Sequence, residues 1–322
     1  MSTPNDAEHF RQMRPTAKDL AAEAGVSLAT IDRVLNGRPG VKPHTVIKVN
    51  EAIDRIGFVR NLSAVNLARK KNYQFRFLLP EHGDQFLEVL VKHIEEARTA
   101  FAAEMVDATT VRLPAEDPYR LAAYLGSLDA KLVLGIAIMA PESPQVRDAI
   151  NRLLERGIEV VQFLAGQPKA DSIDFVGINN HAAGATAAQL IGRFLGRQQG
   201  KIIVTSETMQ SRDSIDRRLG FDEVINLEYP QLQTLPSIET HGDRERTRKI
   251  FRNIAANYPD ILGLYVLSAE ARIPIEEISR VTTKPLVKLV HERTPFTEAA
   301  LRNGQIDAVI AQNPGHLVRS AI

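Results

Sequence analysis

The chain has 322 residues, 44% of them apolar and 25% charged, enough for two or three folded units and the mixture of a soluble globular protein. That excludes a collagen-like repeat and a disordered chain, no apolar run reaches the roughly 18–20 residues needed to cross a bilayer, and the absence of cysteine excludes disulfides, thiolate metal sites and cysteine nucleophiles. The net charge of +1 divides unevenly: residues 1–71 carry 12 Lys/Arg against 7 Asp/Glu, and the remainder 28 against 32. A basic head before a mildly acidic body is either chance clustering or the mark of a head that meets a polyanion. Residues 1–13 are polar and lack the basic-then-apolar order of a signal peptide, so a cytoplasmic protein with no membrane partner is expected.

The head predicts three helices. Thr16 can N-cap the first, with Asp19 three residues on as a capping-box acid. Gly25 permits the sharp turn that ends it. Ser27 can cap the second, Leu28 to Asn36, whose apolar positions Leu28, Ile31, Val34 and Leu35 recur at helical spacing. Pro43 opens a third, with Val46, Val49, Ile53 and Ile56 on one face and Gly57 at its end. Two short helices joined by a four-residue turn, with a supporting third, describe an ordinary helical hairpin or a helix-turn-helix. Small and polar residues on the second helix favour the latter: Ala29, Thr30 and Asp32 fit a major groove, and the fork of Arg33 matches the O6/N7 edge of guanine.

The run from Thr16 to Asn36 (TAKDLAAEAGVSLATIDRVLN) resembles the headpiece of the LacI/GalR family of bacterial transcription regulators, and Val41 to Phe58 is similar to that family's third helix. The resemblance implies that Leu28, Ala29 and Arg33 read bases, supported by Thr16, Ser27, Thr30 and Asn36. Asp32 stands where the commonest family pattern has Ser, so the operator sequence does not carry over. Residues 61–71 (NLSAVNLARKK) read as a solvated linker or, by the same resemblance, as a hinge helix that orders on DNA. In that reading Asn61 belongs to the DNA-binding hinge, Ala64 and Leu67 fall at the family's Ala-x-x-Leu with Leu67 wedged into a minor-groove step, and Arg69 lies close to phosphate.

From Tyr73 the pattern changes to short apolar stretches, among them Phe75–Leu79, Lys131–Ile138, Ile158–Leu164, Lys201–Thr205, Ile261–Leu267 and Pro285–Val290, which read as buried parallel strands. Amphipathic segments alternate with them, as in a doubly wound body that binds ligands beyond its strand ends. No metal-ligand spacing, phosphate loop or nucleophile elbow occurs, so neither a cofactor nor a metal is expected, and the chain is not read as an enzyme.

The body resembles the periplasmic sugar-binding-protein fold that this regulator family joins to its headpiece. Val176-Gly-Ile-Asn-Asn-His-Ala-Ala-Gly184 is close to V-G-I-D-N-x-x-A-G. Ser211 to Phe221 (SRDSIDRRLGF) places Arg217 at the family's effector-binding arginine, although a solvated helix charge is the alternative. Asp307 to Pro314 resembles the last strand and lobe crossover, with Gln312 able to donate and accept to a polyol. The loop after the first strand offers Asp84, Gln85 and Phe86, the last of which serves equally as core. His291 ends a strand where relatives present an acid or His. The loop Ser268-Ala-Glu-Ala-Arg272 lacks the usual Asn or Asp, which leaves Glu270 or Arg272 to substitute and favours a charged or modified ligand.

These readings predict an α/β protein with an N-terminal all-α helix-turn-helix headpiece (14–60), a hinge or linker (61–71) and a two-lobed, doubly wound parallel-sheet effector domain (72–322). The family continues for another helix and a strand beyond the position of Ile322, so the domain is expected to be shortened or to end atypically. The expected function is a homodimeric, sequence-specific repressor that binds a near-palindromic double-stranded operator and answers to a sugar or sugar derivative. The rivals are a solute-binding transport protein, which would carry no such head, a regulator with a lost or changed effector, and a sugar-processing enzyme, for which no acid/base pair is evident.

Overall fold

The computed structural model describes residues 15–35, 37–58, 73–115, 117–166 and 173–322. Asn36 and the hinge positions Asn61, Ala64, Leu67 and Arg69 lie outside the described residues. The chain divides into two compact units, 1–70 and 71–322.

The first unit holds α1 (Ala17–Ala24), α2 (Leu28–Leu35) and α3 (Pro43–Ile56). Thr16 closes a full capping box on α1: its hydroxyl accepts from Asp19 N at 3.3 Å, and Asp19 Oδ2 accepts from Thr16 N at 2.7 Å. These bonds satisfy two backbone donors that a helix start otherwise leaves open. Gly25, at φ 60°, ends α1, in a left-handed conformation that costs other residues energy. Leu20, Ala21, Ala24, Ile31, Val49 and Ala52 form the small core, with Val34, Leu35, Ile53 and Ile56 against it. Leu28 is 47% exposed and so leaves the apolar stripe to which its spacing assigned it.

The second unit is a pair of parallel sheets. The first lobe orders its strands β2-β1-β3-β4-β5, comprising β1 (Tyr73–Pro80), β2 (Val106–Leu113), β3 (Val133–Ile138), β4 (Glu159–Phe163) and β5 (Asp174–Val176). Successive side chains of a strand face opposite sides, and both sides are apolar here. Phe77 and Leu79 pack under α4 (Gln85–Ala100). Leu78, Ile136 and Ile138 pack under α5 (Pro118–Ser127) and α6 (Pro144–Glu155). Each such side chain contributes about 1.5–3 kcal/mol. The edge strand β2 (VDATTVRL) was not anticipated, because only Ala108 within it is fully buried and its polar residues hide the apolar signal.

The second lobe contains α7 (Asn180–Leu195), β6 (Gly200–Ser206), α8 (Arg212–Glu228), β7 (Leu232–Thr234), β8 (Ile238–Glu239), α9 (Arg244–Asn257), β9 (Ile261–Val266), α10 (Arg272–Val281), β10 (Val287–His291), α11 (Pro295–Arg302) and β11 (Ala308–Ile310). Its sheet runs β11-β10-β9-β6-β7, with β8 also beside β6. Pro236, which has no N–H to give a ladder, falls between β7 and β8. Helix α10 tolerates Pro274 because it sits in the first turn, where no intrahelical donor is needed. The chain returns to the first lobe in α12 (Pro314–Ala321), whose Leu317, Val318 and Ala321 join the core beneath α4. Among the described residues no helix is long and apolar enough to cross a membrane.

Candidate nucleic-acid interface and ligand cleft

On the head, Leu28, Ala29, Asp32 and Arg33 are exposed along one side of α2, opposite Ile31 in the core. Ser27 Oγ accepts from Thr30 N at 3.2 Å and lies 2.9 Å from Thr30 Oγ1, so these two hydroxyls start the helix. Thr16 likewise acts as a cap. Asp32 pairs with Arg38 at 2.9 Å, which answers the acid's charge before any phosphate approaches. The result is a solvated helix face made of a leucine, a small residue, a neutralised acid and one arginine.

On the body, the carboxyl ends of the parallel strands gather polar side chains from both lobes. Asp84, after β1, caps α4 by accepting from Phe86 N and Leu87 N at 2.8 and 3.0 Å. Gln85 Oε1 accepts from Phe296 N at 3.0 Å, so a first-lobe side chain satisfies an open donor at the start of α11 in the second lobe. Phe86 is buried in the first lobe's core; of its two expected roles it takes the structural one.

Arg217, on α8, is 3% exposed. Its Nε donates to Asn180 Oδ1 at 2.9 Å, Nη1 to Leu267 O at 2.7 Å and Nη2 to Glu292 Oε1 at 3.3 Å. Gln312 Nε2 donates to the same Glu292 oxygen at 2.8 Å. Two glycines make this placement possible. A Cβ at Gly184 would stand 1.9 Å from Arg217 O, and one at Gly220 would stand 2.0 Å from His181 O. Helices α7 and α8 therefore touch backbone to backbone at both motif glycines.

His291 is fully buried and shares a 2.7 Å hydrogen bond with Tyr265 OH. Burial, then the Arg217 charge, holds its pKa well below the usual histidine value, which favours the uncharged imidazole. The expectation that His291 faces the cleft is corrected here: the side chain packs against Tyr265 in the second lobe's interior, and the next residue, Glu292, takes the position beside Arg217 and Gln312. Glu292 turns there with φ 65°, a left-handed conformation unusual for a non-glycine residue and concentrated at functional sites. Glu270 accepts from Ile273 N at 3.2 Å, while Arg272 is exposed on the first turn of α10. Burial raises the pKa of Asp84, Glu207 and Glu292.

Residues 16–61 match the model of bacterial regulatory proteins of the lacI family, and residues 75–322 match the periplasmic binding protein domain. The chain belongs to the lacI family of bacterial regulatory proteins. This regulator is 26% identical to catabolite control protein A of Staphylococcus epidermidis over 249 residues, covering 77% of this chain and 72% of that protein. Its body is similar to a solute-binding protein of an ABC transporter from Burkholderia graminis in complex with D-arabinose (TM-score 0.68, 21% identity, 78% of this chain and 86% of that one). It is also similar to a glucose-galactose binding protein from Geobacillus stearothermophilus (TM-score 0.65, 18% identity, 78% and 89%). The regulator thus joins a DNA-binding head to a binding-protein body, and the families it matches are regulators and binding proteins rather than enzymes.

Three residues at the cleft were missed from sequence: Asn180, Glu207 and Glu292. Asn180 lay within the V-G-I-x-N motif, and Glu292 follows the last apolar residues of a strand. Asn180 thus stood inside the quoted motif, and Glu292 one residue beyond His291. Glu207 carried no such signal.

Proposed function

We propose that this lacI-family regulator is a cytoplasmic homodimeric repressor that reads a near-palindromic operator through α2 and is controlled by a small polyhydroxylated effector in the body's cleft. The observation that carries this reading is the exposed side of α2, where Arg33 stands clear of the core on a helix fixed by the Ser27 cap. A guanidinium there suits the guanine edge, and a two-fold protein suits a two-fold site. The likeness of the body to proteins named for arabinose, glucose and galactose supports a sugar-type effector. By linkage, effector and operator change each other's affinity by the same factor.

Fluorescence anisotropy on a selected operator tests the head. Arg33→Ala should cost about 1–3 kcal/mol and relax selectivity at one base pair per half-site; undiminished discrimination would overturn the placement of α2 in the groove. A thermal-shift screen of sugars tests the body, since a ligand at 100 times its Kd adds about 2.7 kcal/mol.

A further inference from the structure

Four carboxylates sit on the loops that follow the strands lining the cleft: Asp84 after β1 in the first lobe, and Glu207, Glu270 and Glu292 after β6, β9 and β10 in the second. They come from both sides of the cleft and lie within electrostatic reach of one another. Asp84 acts on Glu292 across the lobes, and Asp84 and Glu270 both act on Glu207. The lobes are held together at this point by the bond from Phe296 N to Gln85.

The cations nearby do not balance this charge. Arg217 divides itself between Glu292 at 3.3 Å and Asp213 at 3.8 Å, with its remaining contacts to neutral oxygens. Arg272 is exposed, and Arg293 pairs with Glu298 at 3.1 Å. Among the described residues, His241 opposes these acids at Glu207.

One oxygen makes the arrangement more than a surface cluster. Glu292 is 1% exposed. Its Oε1 is held by Arg217 and Gln312, while its Oε2, also buried, takes no hydrogen bond from the described residues. The neighbouring Gln312 Oε1 is a second buried acceptor in the same condition. A buried carboxylate oxygen without a donor is costly, and a left-handed backbone residue holds it in place. Two open acceptors, one of them on a carboxylate, on hydrogen-bonded neighbours at the acidic strand ends call for a ligand that brings donors and positive charge.

We infer that the cleft is built for a hydroxylated small molecule carrying a protonated amine, an amino sugar or amino polyol, whose ammonium group is received by Glu292 Oε2 and Gln312 Oε1. This deepens the reading of the cleft as an effector site and rests on it. It narrows the expectation of a charged or modified ligand to one sign: sugar acids and sugar phosphates are repelled by Asp84, Glu207 and Glu270, and the guanidinium that would attract them is already engaged.

The test compares matched probes on the full-length protein. D-Glucosamine, D-galactosamine and D-mannosamine are titrated against the parent hexoses and against glucuronate and galacturonate, by calorimetry and by thermal shift. At least one amino sugar should bind roughly tenfold or more tightly than its neutral parent, equivalent to about 1.4 kcal/mol, and the uronates should bind more weakly still. Glu292→Gln should erase that preference. Because Glu292 is buried, Glu207→Gln, on an exposed loop, provides a second variant that should reduce the preference without disturbing the core. Failure of all three amino sugars to bind, or a neutral sugar or uronate binding as well as its amine, would overturn the inference. A neutral sugar that binds and shifts operator affinity would do so while leaving the regulatory reading intact. Tight amino-sugar binding with unchanged operator affinity would instead count against the regulatory reading.

Discussion

The head and the body place their polar groups in opposite ways. Every buried residue described in the head is apolar, and the capping hydroxyls of Thr16 and Ser27, Asp32, Arg33 and Arg38 remain at the surface. The body buries Arg217, Asn180, Glu277, His291 and Glu292 and connects several of them through hydrogen bonds beneath the cleft. The head's chemistry is therefore detachable from its fold: a residue on the outer side of α2 can change with little effect on packing. The body's chemistry is part of its stability, since Arg217, Glu277, His291 and Glu292 each take a partner from another element. DNA preference is free to drift by surface substitution, whereas a change at Arg217 or Glu292 also disturbs the packing that supports them.

That contrast would break first at Arg217. Arg217→Ala leaves the Glu292 carboxylate buried without its cation and should cost about 3–5 kcal/mol of body stability, read by denaturant unfolding, with operator preference unchanged. A loss under 1 kcal/mol would show that the network contributes little to the fold. A smaller effect is expected at Glu277, a buried acid on α10 that receives Arg244 at 2.8 Å, Arg248 at 2.5 Å and Arg280 at 2.9 Å. The hydrogen bonds from these arginines, Arg248 foremost, lower its pKa to about 2. A carboxylate with a depressed folded-state pKa adds stability above its ordinary value, and that stability is lost as pH falls toward 2. Glu277→Gln should therefore cost about 1.5 kcal/mol near neutrality and flatten the acid limb of a Tm-against-pH curve. An unchanged limb would assign acid sensitivity to other groups. The smallest effect belongs to the head, where Thr16→Ala removes the capping box of α1 for about 1 kcal/mol. Heteronuclear NMR of the head's amides should show α1 fraying while the body's signals stay fixed.

The same contrast explains what could be read from the chain. Thr16 and Asp19 are three residues apart, as are Ser27 and Thr30, so the head's caps are written within a single helical turn and its three helices follow from local spacing. The strands β1, β3, β6 and β9 were legible because both their faces are buried. The edge strand β2 and the two-residue β8 were not, because half-buried polar residues give no clear period. The cleft was legible only as far as its motifs reached. The motif singled out Arg217, but its partners Asn180, Leu267 and Glu292 lie 37, 50 and 75 residues away, and no local pattern reports such distances. His291 was chosen over Glu292 because both lie at the end of one strand, and the left-handed turn that exchanges their roles has no sequence signature in a glutamate.

The bond between Gln85 and Phe296 N has a consequence for calibration. A hydrogen bond that spans two lobes weights the balance between closed and open cleft whether or not a ligand is present. A net contribution of about 0.5–1.5 kcal/mol corresponds to a bias of roughly two- to tenfold, and a ligand that selects the closed form inherits that factor in its apparent affinity. Position 85 thus works as a threshold adjustment. If the cleft is the effector site proposed above, substituting Gln85 should move the ligand concentration at half-response while leaving ligand preference to the residues of the cleft.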